Sequence, residues 1–331
     1  MERIGKRRDM VKWLTILVLV AATLWGGWWF VGASAADRGA RTAIDSARAQ
    51  GWGIEYGDLT VAGFPNRFDV TLDAPRVMSP DGVMRWSAPF VQVLALSYRL
   101  NHVIAVAPRE MTIEVPGETI DITSTDLRAS AVVTPSRQPD LRRATVTASD
   151  LTIRATDLGA TFATAVLAAR QNGSDAIYDV AIALTGVSAS DGLRAKLDPT
   201  GTLPEVIDTL DIDTMMVLSD PIGITRDPVL SELTIRRATL NWGDARVILS
   251  GDLTVAADGT PDGDLSLRAR GWDDLLAFVV AQEWLTAAQA SLIGSGLSGL
   301  EDAEGFAEIP VSLSGGQIIV MGLPVGPAPR L

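Results

Sequence analysis

The chain has 331 residues, 47% of them apolar and 21% charged: enough to bury one large core or two modest ones, and too apolar for a disordered chain. It carries 28 basic against 40 acidic residues, and a net charge of −12 argues against sequence-independent nucleic-acid binding, which needs excess cations at the phosphates. With no cysteine and a single histidine, His102, disulfides, thiolate zinc, iron–sulfur clusters, thiol nucleophiles and multi-histidine metal sites are excluded.

Residues 1–12 form a basic segment, with Arg3, Lys6, Arg7, Arg8 and Lys12 against Glu2 and Asp9. Residues 13–31 then read WLTILVLVAATLWGGWWFV, and no charge follows until Asp37. At a rise of about 1.5 Å per residue such a block spans roughly the hydrocarbon layer of a bilayer. The basic flank predicts a cytoplasmic N-terminus and an exported body, with Trp25, Trp28 and Trp29 at the far interface. Ala33-Ser34-Ala35 also fits a signal-peptide cut after Ala35; the length of the apolar block favours an uncleaved anchor. The first 36 residues hold five of the basic and two of the acidic side chains, which leaves the remainder at −15. Electrostatic adhesion of such a body to an anionic membrane is not expected, so attachment falls to the anchor.

Residues 37–50 place Ala40, Ala43, Ile44 and Ala47 at helical spacing before Gly51, which predicts a short amphipathic helix continuing the anchor. From residue 52 the period is two. Phe68, Val70, Leu72 and Ala74 alternate with Arg67, Asp69, Thr71 and Asp73, so Asp69 is expected on a wet face. The same alternation recurs at 111–115, 119–123 and 178–184, and in Leu233/Ile235, Leu253/Val255 and Leu265/Leu267. Turn chemistry such as Pro116-Gly117, Asn172-Gly173 and Asp258-Gly259 separates the runs. The expected fold is therefore mainly β with minor helix: a long, curled antiparallel meander over 52–331 behind a transmembrane helix.

Two interruptions are expected. Leu203–Leu210 (LPEVIDTL) reads as a helical turn or two beside a strand at 213–219. Residues 272–300 read as an amphipathic helix or helix pair, with Leu275, Leu276, Val279, Val280, Trp284, Leu285, Ala288, Leu292 and Ile293 on its stripe; Gly294–Gly299 ends or kinks it. Gly57–Ala62 recurs letter for letter as Gly251–Ala256, so the body divides either into two repeats, 52–200 and 201–331, or into strands of convergent composition.

Chemical motifs are sparse. A triad through His102 would need Ser97 or Ser87 and a carboxylate brought close by the fold, and no Gly-x-Ser-x-Gly elbow accompanies it. Asp211/Asp213 and Asp273/Asp274 are close carboxylate pairs in a strongly acidic body, and solvated faces explain them. Residues 258–264 (DGTPDGD) lack the order and the distal Glu of a calcium loop and read as a hairpin turn. No catalytic residue, cofactor or metal ligand is assigned. Gly63, Phe64 and Pro65 form a rigid turn before the cleanest strand, its Phe covering the open end of the sheet, and the apolar tail from Gly322 to Leu331 is expected to pack on the body.

The Trp-rich anchor, Gly-Phe-Pro-x-Arg-Phe at Gly63–Phe68 with its continuation to Pro75, and Gly-Leu-Pro-x-Gly-Pro-x-Pro at Gly322–Pro329 resemble an uncharacterised family of alphaproteobacterial envelope proteins, domain of unknown function 2125. The stretch Leu249–Leu267 is similar to a phrase in AsmA-like proteins, single-anchor inner-membrane proteins with long curled sheets linked to lipid homeostasis and transport between membranes. These resemblances imply a non-enzymatic protein of the bacterial inner membrane, its body in the periplasm and its partners the bilayer, an acyl-chain lipid and envelope proteins. The chain is much shorter than AsmA-like proteins that bridge two membranes. The expected groove is lined by Phe68, Val70, Leu72, Leu253, Val255, Leu265 and Leu267. A ligand-free periplasmic scaffold or regulator is the alternative, and a hydrolase using His102 or an acidic pair the third reading.

Overall fold

A computed structural model describes residues 2–136, 138–173, 176–198, 201, 203–223, 227–281, 285–297 and 299–331, with side chains from residue 12 onward except those of Leu197 and Asp274. Trp284 and Ser298, expected in the C-terminal helical stretch, lie outside the described residues. Strand accounts for 53% and helix for 21%, so the chain is mainly antiparallel β, as the alternation predicts. It divides into two compact units, Met1–Ala107 and Pro108–Leu331.

In the first unit, helix α1 (Glu2–Ala49) is followed by strands β1 (Gly53–Glu55), β2 (Leu59–Ala62), β3 (Arg67–Asp73), β4 (Arg76–Met78), β5 (Arg85–Ser87), β6 (Phe90–Leu96) and β7 (Arg99–Val106). The anchor and the amphipathic 37–50 segment are one continuous helix. Ala33–Ala36 are compatible with helix, and the Ser34 hydroxyl donates back to the Phe30 carbonyl at 2.9 Å. Gly51, at φ +95°, ends it. Strands β2, β3, β6 and β7 pair antiparallel in that order, and α1 rests on β1, β2 and β3.

The second unit is a large, curled, open meander. It comprises β8 (Glu110–Val115), β9 (Glu118–Thr123), β10 (Asp126–Val133), β11 (Leu141–Arg154), β12 (Gly159–Gln171), β13 (Ile177–Ala189), helix α2 (Asp191–Leu197), β14 (Val206–Leu218), β15 (Leu230–Trp242), β16 (Ala245–Val255) and β17 (Pro261–Arg270). Helices α3 (Trp272–Ala281) and α4 (Ala287–Leu297) and strands β18 (Ala307–Ser314), β19 (Gln317–Val320) and β20 (Leu323–Pro327) complete it. From β10 to β20 each strand pairs with the next, and β9 shares the β10 edge of β11.

LPEVIDTL is a correction: residues 206–210 open β14 rather than form a helix, because β13 and β15 hydrogen-bond it on both sides. The short helix lies earlier, at α2, where the Ser190 hydroxyl caps it by accepting from the Leu193 amide. The tail packs as expected: β20 pairs with β19, the Ala328 amide donates to the Gly316 carbonyl at 2.8 Å, and the Leu331 amide donates to the Gly259 carbonyl at 2.9 Å. The two copies of the repeated sextet sit differently, one around four-residue β2 and one at the C-terminal end of eleven-residue β16.

Candidate functional site

Antiparallel partners share a face, so the register sorts the second unit's side chains. One face carries Val146, Leu167, Ile182, Ile212, Ala238, Leu249, Leu267 and Ile309 in a row from β11 to β18. Neighbouring rows are equally apolar: Ala148, Ala165, Leu184, Leu210, Leu240, Val247 and Ala269. The opposite face is polar and hydrogen-bonded. There Asp179 accepts from Arg170 at 3.1 Å, Asn172 at 3.0 Å and Arg236, which also reaches Asp213 at 3.1 Å. Burial acts to raise the Asp179 carboxyl, but these hydrogen bonds outweigh it and hold it below the ordinary carboxylate value.

The apolar face is covered unevenly. Over β16–β18, helices α3 and α4 close it: Trp272, Leu285, Ile293 and Leu297 pack with Ala269, Ala307 and Ile309, with Leu267 and Val311 against them. Burying each large side chain there contributes about 1.5–3 kcal/mol. Over β11–β15 the equivalent residues Val146, Ile182, Leu184, Ile212, Ile235 and Leu240 are only half-buried, and Leu167 is 47% exposed. An open groove of about 660 Å³ also runs between α3 and α4, lined by Trp272, Leu276, Val280, Ala290 and Gly294.

The seven side chains expected to line a groove fall in two places. Phe68, Val70 and Leu72 share the face of β3 whose Phe68 ring packs on Gly32 of α1. Leu253 and Val255 are buried, Leu265 is half-buried, and Leu267 lies against the helix-covered core. None of the seven lies on the open stretch, β11–β15. Asp69, expected on a wet face, is 7% exposed and paired to Arg67 at 2.8 Å.

The Gly63-Phe64-Pro65 turn docks on the anchor. The Trp25 indole N–H donates to the Pro65 carbonyl at 3.1 Å and that of Trp29 to the Arg67 carbonyl at 2.7 Å. The Phe64 ring stands edge-on to Trp29, centroids 5.4 Å apart. The sequence signal for this contact was the pairing of a Trp cluster with an aromatic–proline turn, two features not obviously connected until they are seen in contact.

Among the described residues no hydrogen bond joins His102 to Ser97, Ser87 or an acid, and no group of three acidic or histidine side chains gathers for a metal. Asp211 and Asp213 share the polar face, both exposed; Asp273 is exposed, and the side chain of Asp274 lies outside the described residues. The 258–264 stretch is a hairpin turn in which the Asp258 carboxylate accepts from the Thr260 amide at 3.1 Å.

Fold and face together define a class: a mainly antiparallel β protein behind one N-terminal helix long and apolar enough to cross a membrane. A family model described as an uncharacterized protein conserved in bacteria (DUF2125) matches residues 29–329, and the chain belongs to that family. No curated protein and no solved structure matches the chain.

Proposed function

We propose that the chain is a single-pass protein of the bacterial inner membrane whose periplasmic body holds the acyl chains of an envelope lipid on the open part of its apolar sheet face. One observation carries the reading: a single register-defined apolar face is roofed by α3 and α4 over β16–β18 and left half-exposed over β11–β15. An uncovered apolar surface of that extent calls for an apolar occupant. A chain tethered by α1 would have acyl chains as the nearest supply. The similarity of Leu249–Leu267 to AsmA-like proteins supports the same ligand class, and the small side chains Ala144, Ala165 and Ala169 leave depth for a chain to lie in.

The test is photocrosslinking of the full chain in vesicles of phosphatidylethanolamine and phosphatidylglycerol. A benzophenone residue replaces Leu167 on the apolar face or Arg143 on the polar face. Lipid adducts, read by mass, are expected at 167 and not at 143. Protein adducts alone at 167, in cells, would replace the lipid reading by the scaffold reading.

A further inference from the structure

The 63–66 turn meets α1 inside its apolar block, not beyond it. A Cβ on Gly26 would lie 3.9 Å from the Phe64 ring, and Phe64 also packs on Trp29 and Phe30. Gly26 precedes Val31, the last residue of that block, by about 7 Å of helix rise. Phe64 is nevertheless 58% exposed, beside the equally exposed Phe30. A second loop lies beside it: Arg67 pairs with Leu96, and the Ser97 amide donates to the Asn66 carbonyl at 2.9 Å. The hairpin tip there presents Tyr98 in the turn and Leu100 at the start of β7, 67% and 60% exposed. Loop tips are ordinarily polar; here two neighbouring tips carry Phe, Tyr and Leu.

Four of the five carbonyls from Gly63 to Arg67, all but that of Phe64, have internal partners, which lowers the cost of placing the turn where water is scarce. The Gly63 carbonyl accepts from the Arg67 amide at 2.9 Å, and the carbonyls of Pro65, Asn66 and Arg67 accept from Trp25, Ser97 and Trp29. Pro65 has no N–H to satisfy.

We propose that this tip, the 63–66 turn with the 97–100 end of the β6–β7 hairpin, is inserted in the leaflet from which α1 emerges. Phe64 then contacts acyl chains, while Tyr98 and Arg99 lie among the headgroups. The body beyond residue 36 carries −15 and is repelled by anionic lipid, so apolar insertion, not charge, holds the tip down. The strands of the first unit are thereby held at the bilayer surface by the tip as well as by α1. The proposal rests on the reading of α1 as a membrane anchor.

The chain has no cysteine, so single-cysteine labels need no background removed. Full-length Phe64→Cys, Tyr98→Cys, Met78→Cys and Leu19→Cys would each carry an environment-sensitive fluorophore in phosphatidylethanolamine and phosphatidylglycerol vesicles. Nitroxides held mid-way down the acyl chain should quench 19 and 64, with a blue shift and loss of iodide quenching. Headgroup nitroxides should quench 98, and only iodide should reach 78. Quenching at 19 with iodide-accessible 64 and 98 overturns the insertion while leaving the anchor standing. Protection of 64 from iodide without nitroxide quenching assigns the tip to a protein partner and equally overturns it. Iodide access at 19 removes the anchor and the insertion together.

Discussion

Gly32 controls how closely α1 fits β3 within the first unit. A Cβ there would sit 2.4 Å from Cζ of Phe68, a ring already buried against Trp29. Gly32→Ala should therefore destabilise the first unit by about 1–3 kcal/mol, since overpacking displaces the ring. Gly39 lies on the same helix with nothing near its Cβ position, so Gly39→Ala should stabilise by about 0.5–1 kcal/mol through helix propensity alone. Urea unfolding of the detergent-solubilised full chain measures both; effects of the same sign would refute the packing account. Asp179 on the polar face gives a pH signature. Its folded pKa is lowered, so the stability it confers is present above the unfolded carboxylate range and is lost as pH falls through the folded value. The gap in unfolding midpoint between wild type and Asp179→Asn should be full at neutral pH and should begin to shrink below about pH 4. A gap that persists undiminished into strong acid would contradict the ion-pair origin.

Strands were legible where one face is wet. The 178–184 run alternates cleanly and is β13, because Tyr178, Val180, Ile182 and Leu184 meet an apolar face while Asp179 meets Arg170 and Arg236. β12 was not read from its sequence: Val166 and Ala168 stand on the polar face opposite Leu167 and Ala169, which flattens the period. LPEVIDTL misled because Leu203, Val206, Ile207 and Leu210 also fit helical spacing, and only the strands on either side decide between the two. The helices over β16–β18 were visible as an apolar stripe, but which strands they cover depends on register, which no local pattern encodes. The recurring Gly251 has a use of its own in β16. At φ +148° its missing Cβ admits the Asp264 carbonyl, which a side chain would meet at 2.3 Å. Gly251→Ala should cost about 2 kcal/mol or more by parting β16 from β17. Hydrogen exchange should show faster opening of those two strands; unchanged protection would sink the close-approach argument.

At the scale of the whole molecule, the uneven roof over one apolar face separates an open apolar surface from a core. Both regions are built of the same residue types on the same side of the same sheet, so composition does not distinguish them; coverage by α3 and α4 does. A charge at the two places should consequently act in opposite ways. Leu267 packs against the helix-covered cluster, and Leu267→Arg would drive a charge into it at a cost of about 2–4 kcal/mol. Leu167 is already about half-exposed on β12, so Leu167→Arg should leave stability within about 1 kcal/mol of wild type. If acyl chains lie on β11–β15, that stable variant should lose most of the lipid that crosslinks to the wild-type face, because a guanidinium in the trough must be desolvated before a chain can cover it. Crosslinking from benzophenone at Ile182, with and without Leu167→Arg, reads the loss directly. Undiminished lipid adducts in the folded variant would show that the chains, if bound, do not run along this face, and a protein occupant would then be the better account of its exposure.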